Sequence, residues 1–288
     1  SWQESQANTT DLTKTPVVSK DDVKRIDQAF TPKLGLVFQP TKDMSLFASY
    51  SNSFTPNTGT TVDLKVIKPS LIDQYELGIK KDFWRGILST NVTLYQIENS
   101  NLAQTAELKA DGSANTDSSI KVLSGSTKSK GVELDITARP LTGLSIIAGY
   151  SYNDMRYTKT SGLEGSFIVG DRLARTPANT ANFSFFYTLQ SGLLKGFSLG
   201  STANYIGKRV GGWNNQYIAA EPNGIFDREI PLEAYTTIDV SAGYEWGKFS
   251  ILCKLSNVTN ELNYTVHENY SVNPIAPRQV MTALKYKF

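Results

Sequence analysis

Apolar and polar side chains alternate strictly at the end of the chain. One set of alternate positions is apolar or aromatic apart from one threonine, and it comprises Val280, Thr282, Leu284, Tyr286 and Phe288. The positions between them carry Lys, Ala, Met and Gln. Successive side chains of a β-strand point to opposite faces, so this pattern predicts a strand with one apolar and one polar face. An apolar face that ends in aromatic residues is typical of the closing strand of a bacterial outer-membrane β-barrel.

Similar alternation recurs upstream and predicts about eleven strands in total. In the clearest segment, residues 131–139, Val, Leu, Ile and Ala alternate with Glu, Asp, Thr and Arg. The segments cover residues 33–39, 45–50, 74–79, 88–94, 131–139, 144–152, 181–189, 197–205, 235–246, 249–257 and 278–288.

The connections between these segments alternate between short and long. The short connections lie at 40–43, 82–86, 140–143, 190–196 and 246–248. The long connections lie at 55–69, 100–118, 158–176, 209–232 and 261–277. A barrel of the outer membrane has tight periplasmic turns on one rim and long external loops on the other, whereas a soluble sandwich has no reason to sort its loops by length. The sequence therefore predicts an all-β, transmembrane, up-and-down antiparallel β-barrel.

The strand count predicts how much of the barrel these residues form. If the last strand runs toward the periplasm, the first readable strand also does. Bacterial single-chain barrels have an even number of strands, so a count of about eleven predicts that residues 30–288 are the C-terminal portion of a larger barrel. Residues 1–29 lack sustained alternation and are predicted to be a polar extracellular loop segment. The alternative is a small complete barrel with one further strand in residues 1–29.

Composition agrees with a membrane barrel. The 29 basic and 27 acidic residues give a net charge of +2, and the basic residues are scattered, which disfavours a nucleic-acid partner. Mean hydropathy is −0.28, and no run of about 18 apolar residues predicts a transmembrane helix. Cys253 is the single cysteine, and its phase with Phe249 and Ile251 predicts a small apolar side chain that faces lipid.

The sequence offers little for catalysis or for metal binding by side chains. His267 is the single histidine and lies in a long connection, where a solvated side chain is the usual role. Glu133 and Asp135 share one strand face about 7 Å apart, and we favour lumen-facing charges compensated by Arg and Lys of neighbouring strands over a catalytic pair. Glycine-rich phosphate loops, cysteine clusters and His-x-x-x-His pairs do not occur. We therefore predict that the protein is not an enzyme.

A series of short motifs occurs in order along residues 30–288. They are residues 31–40 followed by 46–54, residues 73–80, residues 129–135, Leu173 with Thr176 and Pro177, residues 235–239 followed by 255–260, and residues 276–278 with the terminal Phe288. Their order and spacing resemble the C-terminal barrel half of TonB-dependent outer-membrane receptors, particularly the siderophore-receptor branch. The resemblance implies a barrel of about 22 strands with a plugged lumen, located in the outer membrane of a Gram-negative bacterium. The plug, the TonB box and the early strands of that family have no counterpart in this sequence.

The same resemblance implies a receptor that takes up ferric siderophore complexes with energy delivered through TonB. The siderophore already fills the coordination shell of the iron, so no cofactor is expected. The implied partners are a ferric siderophore or similar small ligand, the TonB complex through the missing N-terminal region, outer-membrane lipid and the barrel-assembly machinery. The alternatives are a passive, porin-like diffusion channel, or a TonB-dependent receptor for haem, cobalamin or an oligosaccharide.

Ligand recognition is expected in the long loops, which are the variable and functional parts of such a scaffold. Residues 209–217 combine glycines, two large aromatic residues, amides and a cation. Aromatic faces pack on organic scaffolds, and Arg and amide groups bind oxygen donors. The candidates are Arg209, Trp213, Asn214 and Tyr217, followed by Tyr157, Phe167 and Arg172. Each could instead pack within a loop or in the headgroup layer, as we predict for Trp84 at a periplasmic turn.

Overall fold

The computed structural model describes residues 2–5, 8–11, 18–21, 25–106, 108–160, 168–213, 229–267 and 271–288. Side chains are described from Asp27 onward within these ranges, apart from those of Trp213 and His267. In this part of the chain, no helix is both long and apolar enough to cross a membrane. The strands are β1 (Trp2–Ser5), β2 (Asn8–Asp11), β3 (Val18–Asp21), β4 (Arg25–Gln28), β5 (Lys33–Thr41), β6 (Met44–Thr55), β7 (Ser70–Phe83), β8 (Leu88–Thr105), β9 (Lys121–Ala138), β10 (Leu144–Lys159), β11 (Asn179–Thr188), β12 (Phe197–Ile206), β13 (Arg209–Trp213), β14 (Glu229–Leu232), β15 (Tyr235–Trp246), β16 (Phe249–Ser256), β17 (Tyr264–His267), β18 (Ser271–Pro274) and β19 (Gln279–Tyr286).

Eleven of these strands form one antiparallel sheet. Its order is β19–β16–β15–β12–β11–β10–β9–β8–β7–β6–β5. Among these eleven strands, each therefore pairs with the one that precedes it and the one that follows it in the sequence. The eleven segments predicted from alternation coincide with these eleven strands, which confirms the all-β, up-and-down antiparallel arrangement. The other strands form two-stranded sheets of their own: β1–β4, β2–β3, β13–β14 and β17–β18.

The register of the sheet joins the apolar positions of all strands into one continuous face. Cross-strand partners share a face, and one row of partners runs Leu36, Ala48, Leu77, Leu94, Val132 and Tyr152. This side, which we call the outer face, exposes large side chains such as Leu36 at 77% and Leu77 at 58%. So broad an exposed apolar surface belongs against lipid in a barrel wall. The opposite, inner face carries mostly polar and small residues, among them Ser49, Glu76, Thr93, Glu133, Asp135, Asn182, Thr202, Asp239 and Lys254.

Aromatic residues mark both edges of the apolar band on the outer face. Near the short turns, the rings of Tyr244, Trp246, Phe249, Tyr286 and Phe288 contact one another in sequence, with centroids 5.6, 5.8, 4.8 and 5.2 Å apart. Near the opposite edge lie Tyr50 and Tyr75, whose centroids are 5.1 Å apart, and Tyr150, Tyr152 and Tyr205. On β10 the band runs from Leu144 to Tyr152, which is about 26 Å along the strand. A tilted strand of this length matches the apolar band of an outer-membrane barrel.

Aromatic side chains lie close to glycines on the inner face. A Cβ atom added at Gly78 would lie 2.4 Å from the Phe47 ring, and one at Gly200 would lie 2.5 Å from the Phe186 ring. At Gly131 a Cβ atom would lie 2.4 Å from the Tyr95 hydroxyl oxygen. The missing side chain therefore lets each aromatic ring lie against the neighbouring strand instead of projecting from the wall.

Strands β8, β9 and β10 are longer than a membrane requires. They have 18, 18 and 16 residues, whereas about 9–11 residues of a tilted strand cross the apolar layer. One end of each of these strands meets a short turn. The extra residues therefore project at the opposite end, where the long connections lie. The β8–β9 register shifts between Asn99 and Leu102, within this projecting part.

Residues 2–28 hold four short strands that pair only with one another. Strand β1 pairs with β4, and β2 pairs with β3, and none of them joins the eleven-stranded sheet. The alternation pattern did not predict these strands because four residues are too few to establish a period. The assignment of residues 1–29 to an extracellular loop stays a prediction.

Candidate ligand-binding rim

The long connections lie together at one end of the sheet. They join β6 to β7, β8 to β9, β10 to β11, β12 to β15 and β16 to β19. The short turns lie at the other end, including the 3-10 turn Trp84–Gly86, where the Trp84 side chain is 70% exposed. This separation confirms the sorting of connections predicted from the sequence. We call the described parts of the long connections, together with the projecting strand ends, the outer rim.

The first two long connections pack around a small apolar core. Ile67, Ala106 and Ile120 are buried there, and Ile67 has no exposed surface. Thr60 forms a bridge with Ile120: its N–H donates to the Ser119 carbonyl at 2.9 Å, and its carbonyl accepts from the Lys121 N–H at 2.7 Å. These contacts make residues 56–69 and the described part of 106–120 one structural unit.

Arg209 joins the two hairpins on the other side of the rim. Its guanidinium donates to the Glu233 carbonyl at 3.1 Å, the Asn263 Oδ1 at 3.1 Å and the Tyr264 carbonyl. Its guanidinium carbon lies 5.2 Å from the centre of the Tyr235 ring, and the residue is only 9% exposed. The predicted ligand contact Arg209 is thus buried between connections, with its donors directed at acceptors of the protein.

Two further contacts fix the same side of the rim. The N–H of Arg175 donates to the Val210 carbonyl at 2.7 Å, which ties the β10–β11 connection to β13. Asn263 donates from Nδ2 to the Glu233 carbonyl at 3.2 Å, beside Arg209. Three long connections therefore meet at the base of β13.

Asn257 anchors the last long connection, and sequence analysis missed its role. Its side chain accepts from the Glu261 N–H at 2.8 Å and donates to the Glu261 and Ala276 carbonyls at 3.0 and 2.9 Å. Its own N–H donates to Asp239 Oδ1 at 2.9 Å. The residue is 4% exposed and has a φ of +50°, a region that Asn adopts more readily than most residues. Asn257 belongs to the motif at 255–260, which could have indicated a loop anchor.

Tyr157 lies on the inner face, beyond the tyrosines that end the apolar band. Its N–H donates to the Asp171 carbonyl at 3.0 Å, and its carbonyl accepts from the Gly170 N–H at 2.9 Å. Burial, and secondarily the Asp171 carboxylate, raise the pKa of Tyr157 to about 12. The phenol therefore stays neutral at physiological pH and keeps its hydroxyl proton as a hydrogen-bond donor.

Arg172 points to the other side of the sheet. It forms a β-bridge with Arg156, and its guanidinium donates to Asp154 Oδ1 at 2.8 Å. Arg156 donates to the same oxygen at 2.9 Å. Asp154 and Arg156 follow Tyr152 in the outward phase of β10, so Arg172 shares the outer face with them and not the inner face with Tyr157.

Of the remaining predicted ligand contacts, the structure describes only the backbone of Trp213. The backbone of Trp213 ends β13, and its side chain lies outside the described residues. Phe167, Asn214 and Tyr217 also lie outside them. His267 ends strand β17 in a short hairpin.

The inner face carries a concavity of about 440 Å³ near the short turns. Lys80, Asn91 and Asp135 line it, and Asn91 donates from Nδ2 to Asp135 Oδ2 at 3.2 Å. Asp135 thus faces inward, as predicted, and its partner here is an amide and not a basic residue. Within the described residues, no group of three or more His, Cys, Asp and Glu side chains is arranged to hold a metal ion.

A lipid-facing outer face, a polar inner face and long connections at one rim define an outer-membrane β-barrel wall. Residues 2–260 match the sequence model of a family described as "TonB dependent receptor-like, beta-barrel", and the chain belongs to this family. Proteins of this family reside in the outer membrane of Gram-negative bacteria, which locates the barrel wall there.

Several curated relatives are similar over most of this chain. The metal-pseudopaline receptor CntO of Pseudomonas aeruginosa is 27% identical over 267 residues, covering 92% of this chain and 34% of its own length. The ferrioxamine B receptor of Salmonella typhimurium is 29% identical over 219 residues, covering 74% and 27%. The ferrichrome outer membrane transporter/phage receptor of Escherichia coli is 26% identical over 276 residues, covering 92% and 33%. The chain therefore spans about a third of the length of the relatives it matches.

Solved structures show the same fold. The siderophore receptor PiuA of Acinetobacter baumannii superimposes with a TM-score of 0.74 at 19% identity, covering all of this chain and 40% of that one. The ferripyoverdine receptor of Pseudomonas aeruginosa superimposes with a TM-score of 0.69 at 24% identity, covering 94% and 34%.

Proposed function

We propose that this chain is part of an outer-membrane receptor that takes up ferric siderophore complexes with energy delivered through the TonB complex. The observation that carries the proposal is the outer rim, in which separate long connections are locked together above a polar inner wall. A preformed rim lowers the ordering cost of binding a small ligand from outside the cell. Family membership, together with relatives that are named as receptors for metal-pseudopaline and ferrioxamine B, supports the same class of ligand.

Within the rim, we assign different roles to the residues proposed from the sequence. Tyr157 is a candidate contact because its neutral phenol faces inward. Trp213, at the end of β13, and Asn214, Tyr217 and Phe167 stay candidate contacts on chemical grounds. Arg209 positions the connections, and Arg172 is left out of the contact set because it faces outward.

The iron is cargo in this proposal and not a resident cofactor. A siderophore supplies oxygen donors to the metal, so the protein has to recognise the organic shell and its charge. Aromatic, amide and hydroxyl groups on the rim suit that task. The proposal includes no chemical reaction, in keeping with a family of receptors. The barrel-assembly machinery and the TonB complex are proposed as partners of the whole protein.

Uptake of radiolabelled iron tests the proposal. Cells that carry the protein should accumulate ⁵⁵Fe from ferrioxamine B, ferrichrome or another chelate with saturable kinetics, and loss of TonB should abolish this accumulation. The metal-free siderophores serve as competitors, and an empty-vector strain serves as the control. Uptake that is linear with concentration and unimpaired without TonB would show a passive channel and overturn the proposal.

Binding by the purified protein tests the site. Tyr157→Phe removes one hydroxyl and should weaken binding of the recognised ferric chelate by roughly two- to tenfold, the effect of one hydrogen bond. The matched control is Tyr187→Phe, on the outer face near the short turns. Equal affinities for both variants would remove Tyr157 from the site while leaving the uptake proposal standing.

A further inference from the structure

Charged residues change sides on β6–β10 at and beyond the level of the upper tyrosines. Two cross-strand rows face outward there, and they contain six charged residues: Asp73, Glu98, Lys128, Lys130, Asp154 and Arg156. The two rows that face inward at the same level contain none, and they consist of Ser53, Ile72, Asn99, Thr127 and Tyr157, and of Ser51, Gln74, Ile97, Ser129 and Met155. The register is unbroken as far as these rows, so each side chain keeps the phase of its strand.

The inward rows form an apolar patch on the wall just below the long connections. Ile72, Ile97 and Met155 are partly exposed on it, whereas the smaller Thr127 and Ser129 are 4% and 6% exposed. We call Ile72, Ile97, Met155 and Tyr157 the inner apolar patch. Lower on the inner face, corresponding positions of the same strands hold charged residues. Because burying an unpaired charge costs far more than burying an apolar group, the absence of charge from these two rows suits a surface that an uncharged ligand covers.

The nearest charged side chains in the inward phase are acidic. Glu76 lies one row below the patch on β7, and Glu133 lies two rows below it on β9. Glu76 accepts a hydrogen bond from Gln74 Nε2 at 2.7 Å. On the other side, the Asp171 carbonyl accepts from the Tyr157 N–H at 3.0 Å, which places a third acidic residue beside the patch. Like charges repel, so this setting disfavours an anionic ligand.

Iron chelates differ in charge according to their donor groups. A hydroxamate loses one proton when it binds the ferric ion, so three hydroxamates give an uncharged complex. A catechol loses two protons, so three catecholates leave a complex with three negative charges. A trianion would lose its hydration at the inner apolar patch without gaining a cation there, whereas an uncharged complex has no such loss.

We propose that this receptor selects iron chelates of the tris-hydroxamate class, without net negative charge, and that their hydrocarbon surface packs against Ile72, Ile97 and Met155. The inference rests on the proposed function and narrows its ligand. Removal of apolar surface from water supplies the affinity, and it does so only for a ligand that exposes hydrocarbon between its donor groups. The Tyr157 hydroxyl adds a donor for a hydroxamate oxygen at the edge of the patch.

A series of chelates on one scaffold tests the selection by charge. Ferrioxamine B carries a protonated amine, its N-acetyl derivative is uncharged, and its N-succinyl derivative carries a carboxylate. The purified, detergent-solubilised protein should bind the first two with similar affinity and the third several-fold more weakly. A ferric tris-catecholate should bind at least tenfold more weakly than the uncharged derivative. Ferrichrome, a second uncharged tris-hydroxamate, shows whether the selection extends beyond one scaffold.

A substitution on the patch tests its location. Ile97→Lys adds a cation to the inner face and should reduce the preference for the uncharged chelate over the tris-catecholate about tenfold. The matched control is Gln96→Lys, which adds the same charge at the adjacent position on the outer face and should leave the preference unchanged. Met155→Lys, in the same inward row, is the second variant if Ile97→Lys does not fold. Heat-dependent mobility on gels verifies folding.

The outcomes separate this inference from the proposed function. Wild-type protein that binds the tris-catecholate as tightly as the uncharged chelates, or binds no tris-hydroxamate, would overturn the inference. Equal preferences in Ile97→Lys and Gln96→Lys would also overturn it, because the patch would then not contact the chelate. Saturable, TonB-dependent uptake of an anionic chelate alone would leave the proposed function standing, whereas uptake that does not need TonB would overturn the proposed function itself.

Discussion

Arg209 determines the arrangement of the outer rim at the scale of single residues. It is buried, and it gives hydrogen bonds to carbonyl and amide oxygens from two different connections. The neighbouring Lys208 pairs with Glu233 at 3.0 Å, but both side chains are largely exposed. A buried cation with several acceptors contributes much more to structure than an exposed ion pair.

We therefore expect Arg209→Ala to loosen the rim while leaving the sheet intact. The variant removes the guanidinium donor of the Tyr264 carbonyl and one of two donors of the Glu233 carbonyl and of Asn263 Oδ1, at a cost of about 1–3 kcal/mol in local stability. Limited proteolysis should cleave the β12–β15 connection several-fold faster than in the wild type. Lys208→Ala is the control and should be cleaved at the wild-type rate. Equal cleavage of both variants would contradict the role assigned to Arg209.

A second residue-scale prediction concerns pH at the short turn between β5 and β6. A hydrogen bond from Lys81, whose Nζ lies 2.5 Å from Oδ2, lowers the pKa of the Asp43 carboxyl from 3.8 to about 2, and the Thr41 side chain adds to this shift. Folding lowers the pKa of Asp43, so the ionised carboxylate stabilises the folded protein. This contribution to stability is complete above pH 4 and is lost as pH falls toward 2.

Titration of the Asp43 carboxyl carbon by NMR can check this value. Lys81→Gln should return the pKa of Asp43 toward its ordinary value, since the principal cause of the shift is removed. Lys42→Gln changes the adjacent turn residue and should leave the pKa low. An unshifted pKa in the wild type would show that the ion pair does not persist in solution.

At the scale of elements, the inner wall depends on glycines that the strands place opposite aromatic rings. Alternation assigned Gly78, Gly131 and Gly200 to the polar face, but it gave no sign that a neighbouring ring lies over each of them. That relation depends on register, because Phe186 reaches Gly200 only through the pairing of β11 with β12.

Gly200→Ala should destabilise the barrel by about 1–3 kcal/mol, because its Cβ atom would lie 2.5 Å from Phe186. Gly35→Ala is the matched control, since a Cβ atom there has no neighbour within 4 Å. Urea unfolding in lipid vesicles measures the free energy of unfolding of both variants. Adding Phe186→Ala should make Gly200→Ala nearly neutral relative to Phe186→Ala alone. Equal costs at positions 35 and 200 would contradict the packing explanation.

The eleven strands of the main sheet could be predicted from the sequence. The two short hairpins at the outer rim could not. Segments such as 131–139 alternate over many residues, and a period of two is a local property. The hairpins β13–β14 and β17–β18 lie within the predicted long connections, but their strands have only four or five residues. Such short strands form because the surrounding contacts, including those of Arg209, hold them.

At the scale of the whole molecule, the direction of every strand follows from the sides on which long and short connections lie. Lys109, in a long connection, is therefore expected outside the cell, and Lys195, in a short turn, is expected in the periplasm. Both residues are exposed, so each can be replaced by cysteine for labelling.

A membrane-impermeant maleimide should label Lys109→Cys in intact cells, and it should label Lys195→Cys only after the outer membrane is opened. The wild type supplies the background, because Cys253 lies on the outer face within the apolar band and should not react. Labelling of Lys195→Cys in intact cells with none of Lys109→Cys would reverse the orientation.

The sequence by itself determined the eleven strands of the main sheet, the two faces of that sheet and the sorting of connections. These features depend on residues close in sequence, where side chains alternate and turns are short or long. Only the tertiary structure decided that Arg209 locks the rim to Asn263, 54 residues away, and that Lys130, Arg156 and Arg172 share one outward patch. The physical reason is that contacts between distant residues are set by register and by loop packing, which the period of a single strand does not encode.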